Sequence, residues 1–149
     1  MNNSLKAFTK EDITERATFR LHTASRLIQQ MSIAQLKVLD LTQAQWRALS
    51  GVCIQPSATL QQLTAFAQIS QPLMSQAIKS LEDRELVSRK TPITDKRSSV
   101  ILATESGELI YQQAYAAMMA VDEKIISILG DEDSQKLKSL LDAIVIGFE

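Results

Sequence analysis

Four cations, Arg89, Lys90, Lys96 and Arg97, fall within nine residues and are opposed there by Asp95 alone. Between apolar runs, such a cluster suits a hairpin laid along a phosphate backbone, because fixed cations release the counterions condensed on a nucleic acid. An arginine at its tip can enter a minor groove, where the potential is most negative. Just upstream, Gln71, Ser75, Gln76, Lys79 and Ser80 recur at helical spacing without an acid among them. Amide, hydroxyl and ammonium groups on one helix face can bond base edges or phosphates in a major groove. An ordinary solvated helix more often carries Glu/Lys pairs four residues apart. An ordinary solvated hairpin turn also presents cations.

Other chemistry finds little support. His22 is the only histidine and Cys53 the only cysteine. No His-based triad is supplied by more than one residue, no Cys-x-x-Cys or spaced zinc ligands occur, and no glycine-rich phosphate loop is present. The sequence therefore offers no catalytic residues, no metal site and no cofactor, and the chain reads as a non-enzyme. A lone cysteine also excludes an internal disulfide framework and fits a reducing cytoplasm.

The elements that must hold these groups follow from periodicity. Thr59 caps a short helix, with Gln62 at capping-box spacing and Leu60, Leu63 and Phe66 facing inward. After a three-residue turn, Ser70 or Gln71 starts a second helix, with Pro72 in its first turn and Leu73, Ala77, Ile78 and Leu81 as the inner face. Leu86–Thr91 and Val100–Ala103 form the arms of a two-stranded ribbon, and Pro92 with Thr94-Asp95 supplies turn chemistry. Two helices with a short turn are a helix-turn-helix, and the ribbon is a wing.

Upstream, a helix is expected over about Lys10 to Val38, started by Thr9 or Asp12, with Ile13, Ala17, Leu21, Ala24, Ile28 and Met31 as its stripe. Thr42 caps the next helix with Gln45 completing a capping box, and Trp46, Leu49, Val52 and Cys53 share a face. Downstream, Thr104 caps a helix that runs to about Leu129 and stops at Gly130. Asp131 or Asp133 then starts a last helix whose Leu137, Leu140, Leu141, Ile144, Val145 and Phe148 keep a three-four spacing. So small a centre offers too little surface to cover these terminal helices, so pairing about a two-fold axis is expected, with Ile13, Ala17 and the last helix's apolar set at the interface.

The chain has 149 residues, 45% of them hydrophobic, and no apolar run near the roughly 20 residues that span a bilayer. No membrane partner is expected, and the N-terminus lacks a signal-peptide layout. The net charge of −1 is unevenly spread. Residues 1–67 carry seven Lys/Arg against four Asp/Glu, residues 68–104 six against four, and residues 105–149 three against nine. The local field decides whether a surface attracts phosphate, so the front two-thirds suit a nucleic acid and the tail does not.

From Leu41 to Tyr111 the sequence resembles the MarR family of bacterial winged-helix transcriptional regulators. The residues that carry the resemblance are Leu41-Thr42…Gln45-Trp46…Leu49, Leu60…Leu63…Ala67, Ser70…Ser75…Leu81-Glu82 and Leu86-Val87…Arg89. Asp95-Lys96-Arg97-Ser98 fits the family's wing signature, and Thr104-Glu105-Ser106-Gly107 opens its long dimerisation helix.

The resemblance implies a mainly α (α+β) fold. Residues 41–103 form a winged helix-turn-helix DNA-binding lobe, and residues 1–38 and 104–149 a helical dimerisation region. It further implies a homodimer on a near-palindromic double-stranded operator, acting as a repressor, with Arg97 as the wing arginine held by Asp95. Many members release DNA when a small aromatic acid binds between lobe and dimerisation helices. His22, Trp46, Arg47 and Tyr111, with Leu49 beside them, would then line the effector pocket. Two positions depart from the family pattern: Glu85 stands for a glycine, which leaves the turn either avoiding a left-handed conformation or strained, and Ala103 stands for a leucine. A winged-helix module that only binds protein, and a thiol-based sensor using Cys53, are the competing readings.

Overall fold

The computed structural model describes residues 9–91 and 99–148. The chain order is α1 (Lys10–Thr14), α2 (Ala17–Lys37), α3 (Gln43–Ile54), β1 (Ala58–Thr59), α4 (Leu60–Ala67), α5 (Gln71–Asp83), β2 (Val87–Lys90), β3 (Val100–Ala103), α6 (Glu105–Leu129) and α7 (Asp131–Phe148). This is a mainly helical chain around a winged helix-turn-helix centre.

Capping chemistry sets most helix starts. Thr9, Thr42 and Thr59 each accept a bond from the backbone N–H three residues on. Asp12, Gln45 and Gln62 return a side-chain acceptor to the cap's own N–H. Each box satisfies two donors that a helix start leaves free. Ser70 sits at the cap of α5 without a side-chain bond, and Pro72 follows in the first turn.

The core lies among α3, α4, α5 and the sheet. Leu49, Leu63, Met74, Ile78, Leu81 and Ile101 are fully enclosed, and Leu36 of α2 and Ala114 of α6 join them. Each such aliphatic side chain stabilises the fold by about 1.5–3 kcal/mol relative to exposure. Helix α6 packs against both α2 and α3, and α7 folds back on α6.

Several expectations are corrected. The first helix is two: Glu15 and Arg16 interrupt it, Arg16 taking an extended conformation, and the Arg20–Glu15 ion pair of 2.7 Å spans the break. No proline or glycine marks the site in the sequence. The ribbon has a third strand, since Ala58 and Thr59 pair with Ile101 and Val100 to give the order β1-β3-β2. Two residues are too short to show a period. On α4, Phe66 rests its ring against Gly51 of α3 yet stays 40% exposed, and on α5 Met74 replaces Leu73 on the inner face. In both cases the neighbouring element, not the helix period, selects among adjacent apolar residues.

The turn into β2 does not avoid the left-handed region, because Glu85 has φ 57°. It is stitched to the start of α6: the Thr104 hydroxyl donates to the Glu85 carbonyl (2.7 Å), and the Thr104 N–H to the Leu86 carbonyl (3.1 Å). Gly107, three residues into that helix, lies against the Leu86 backbone, where a Cβ would collide with the carbonyl oxygen. The Thr-Glu-Ser-Gly element is thus a packing joint as well as a helix cap.

Candidate nucleic-acid interface

Helix α4, the three-residue turn Gln68–Ser70 and helix α5 form the helix-turn-helix. Gln68 takes the left-handed conformation that reverses the chain. The Arg47 guanidinium donates to the Ala67 carbonyl (3.1 Å) and closes the C-terminus of α4, where carbonyls lack helical partners. Met74, Ala77, Ile78 and Leu81 anchor α5 from below. The opposite face presents Gln71, Gln76 and Lys79 to solvent, with Ser75 half-buried between them.

Ser80 differs from its neighbours. Its hydroxyl accepts from the Gln45 amide nitrogen at 2.7 Å, so it is engaged inside the lobe. Arg89 is also engaged: its Nε lies 3.0 Å from both carboxylate oxygens of Glu82, tying β2 to the last turn of α5. Lys90 is exposed at the end of β2. Asp95, Lys96, Arg97 and Ser98 lie outside the described residues.

Sequence reasoning overlooked Arg84, the residue that ends α5. Its guanidinium reaches back to the corner between α2 and α3, donating to the Asp40 carbonyl (2.6 Å) and the Leu39 carbonyl (3.3 Å). The one local signal was a cation at a helix end, which says nothing about a target more than forty residues upstream.

The four residues expected around an effector do not share one cavity. Trp46 and Tyr111 stack, with ring centroids 5.6 Å apart, and Tyr115 leans on Tyr111 at 6.1 Å. Arg47 turns to Ala67, His22 is exposed on α2, and Leu49 is sealed in the core. A cleft of about 640 Å³ opens elsewhere, between the α2–α3 corner and the end of α5, with Ile33, Lys37, Leu41, Ser80 and Arg84 among its lining. Beside Tyr111, burial pushes the Cys53 thiol up to about 11, and the Glu108 carboxylate adds to the shift. Burial likewise raises the Tyr111 hydroxyl.

The expected interface residues of the terminal helices are left uncovered in a single chain. Ile13, Ala17, Leu140, Leu141, Ile144, Val145 and Phe148 are exposed, Phe148 at 91%, while Leu137 is half-buried. No helix among the described residues is long and apolar enough to cross a membrane.

A three-helix lobe with a small antiparallel sheet, and a second helix whose Gln71, Ser75, Gln76 and Lys79 carry no acid among them, define a winged helix-turn-helix protein. Residues 39–98 of the chain match the model of the MarR family. It is 24% identical over 121 residues to the uncharacterized HTH-type transcriptional regulator YwoH of Bacillus subtilis (strain 168), covering 81% of this chain and 88% of the relative. The transcriptional repressor CouR, in a structure bound to a 23-mer DNA duplex, superposes with a TM-score of 0.85 at 20% identity, over 93% of this chain and 99% of the other. Bordetella bronchiseptica BpsR, whose DNA binding is regulated by 6-hydroxynicotinic acid, superposes at 0.82 with 16% identity, over 93% and 97% of the two chains.

Proposed function

We propose that this chain is a homodimeric, sequence-specific repressor that binds a near-palindromic duplex in the cytoplasm. Residues 41–103 form the reading lobe, and residues 1–38 and 104–149 the dimerisation region. The observation that carries the reading is the outward face of α5, where Gln71, Ser75, Gln76 and Lys79 stand solvent-facing or half-buried above a locked apolar underside. A face of that chemistry on the second helix of such a pair suits base edges and phosphates in the major groove. Lys90, Lys96 and Arg97, with Asp95 and Ser98 beside them, supply the wing's contacts to the backbone and minor groove. Arg89 supports the wing through its ion pair with Glu82.

The apolar faces of α2 and α7 support the dimer, because large side chains such as Leu27, Ile144 and Phe148 gain by leaving water. Two lobes related by a two-fold axis read half-sites about one helical turn apart. The DNA-bound repressor CouR and the ligand-controlled BpsR share this fold and favour repression relieved by a small aromatic molecule. An effector on this chain would lie against the stacked Trp46–Tyr111 pair.

Selection of bound sequences from a pool of random duplexes tests the reading. Enrichment of a palindrome is the expected result, and binding that is negligible and flat from low to moderate salt would reject it.

A further inference from the structure

We propose that Arg84 is a positioning residue, which sets the angle at which α5 meets DNA by tying its last turn to the corner between α2 and α3. The inference rests on the reading of α5 as the DNA-reading helix.

Two bridges join α5 to that corner. The Arg84 guanidinium uses two nitrogens to hold two successive carbonyls, those of Leu39 and Asp40. Less than two turns earlier on α5, the Ser80 hydroxyl accepts from Gln45, whose other amide atom accepts from the Thr42 N–H at 2.7 Å. Gln45 therefore fixes the start of α3 and the side of α5 together. Both bridges cross from elements at least thirty-five residues apart in the chain.

What lies between the bridges makes them decisive. The space is the open cleft of about 640 Å³, not interlocked side chains. Where apolar packing is dense it sets helix separation by itself. Helix α5 is packed along its underside as far as Leu81, and on the side of its last turn that faces the cleft the two bridges span to the corner. The corner itself is well specified: Asp40 is left-handed (φ 53°), and the Leu41 N–H donates back to the Leu36 carbonyl at 3.1 Å. The guanidinium takes the Leu39 and Asp40 carbonyls of that corner, and its charge lies just past the C-terminal end of α2, where a cation is favourable. A planar fork suits two carbonyls held in one geometry, whereas an ammonium holds a single point. Because α2 also packs on α6, any shift of the terminal helices reaches α5 through this fork.

The test uses the full chain, the duplex recovered by selection and a random duplex of equal length. Arg84→Lys keeps the charge and loses the fork. Binding to the selected duplex should weaken by about tenfold or more, while binding to the random duplex and the salt dependence stay as in the parent chain. Repeated selection with the variant should return a site blurred across the half-site. Gln45→Met, which breaks the second bridge and leaves Arg84 in place, should show the same pattern at smaller amplitude, and carries the test should Arg84→Lys not fold. Equal loss on both duplexes together with a lowered Tm marks a merely structural arginine and overturns the inference. Relaxation at a single base pair marks direct base reading and also overturns it, as does unchanged binding in both variants. Absence of any selected duplex with the parent chain overturns the DNA reading, and the inference with it.

Discussion

The Thr104 hydroxyl donates to the carbonyl of Glu85, and that Glu85 holds the left-handed backbone conformation. The start of the long helix α6 thus locks the turn that launches the wing. A side chain in this conformation costs about 1–2 kcal/mol, and glycine pays none of it while losing more entropy on folding. Glu85→Gly should stabilise the chain by about 0.5–1 kcal/mol in urea unfolding. A loss of stability would show that the Glu85 side chain contributes more than its backbone costs.

Gly107 and Gly147 form a matched pair. A methyl group at Gly107 meets the Leu86 backbone, which cannot move without breaking the joint to β2, whereas one at Gly147 meets nothing within 4 Å. Gly107→Ala should cost about 3 kcal/mol through overpacking, and Gly147→Ala should be neutral or stabilising by about 0.5 kcal/mol. Thermal unfolding of the two variants side by side checks the contrast.

Cys53 should be inert at neutral pH. Its thiol stays protonated because burial, then Glu108, raises it to about 11, and the thiolate is the reactive form. A disulfide reagent at pH 8 should label the folded chain far more slowly than the urea-unfolded one. Equal rates would revive the thiol-sensor reading. The linkage has a definite sign: the unfolded thiol ionises near 9.0 and the folded one near 11, so the unfolded chain loses its proton first. The contribution to stability is fully present below pH 9 and falls as the pH climbs through about 11.

Arg97→Ala should weaken binding to the selected duplex by about 1–3 kcal/mol and leave the oligomeric state unchanged. Gel-shift titration beside size-exclusion chromatography checks both. An unchanged affinity would remove Arg97 from the interface.

Truncation before Asp131 deletes α7 with its Leu140, Leu141, Ile144, Val145 and Phe148. The shortened chain should run as a monomer or come out insoluble in sedimentation analysis. A truncated chain that remains a stable dimer would place the self-contact on other elements.

Local chemistry made much of this chain legible before any fold was known. The threonine caps, the Gly130 stop, the three-residue turn and the strand arms each depend on neighbours within about five residues, and the structure keeps all of them. The polar face of α5 follows from helix geometry alone. The mixed cases are residues where two apolar neighbours compete, as Leu73 and Met74 do, because a period cannot say which one the facing helix will accept.

By itself, then, the sequence determined the order of elements and the residue types available to meet nucleic acid, since capping, periodicity and charge are properties of short stretches. Only the tertiary structure decided which of those residues remain free. Ser80 and Arg89 carry suitable groups, yet Gln45 and Glu82 take them, and each pairing joins two different elements, α3 with α5 and α5 with β2. Arg84 gave no sign of its partners because Leu39 and Asp40 offer it backbone carbonyls, which every residue has and which only the folded corner aims in one direction.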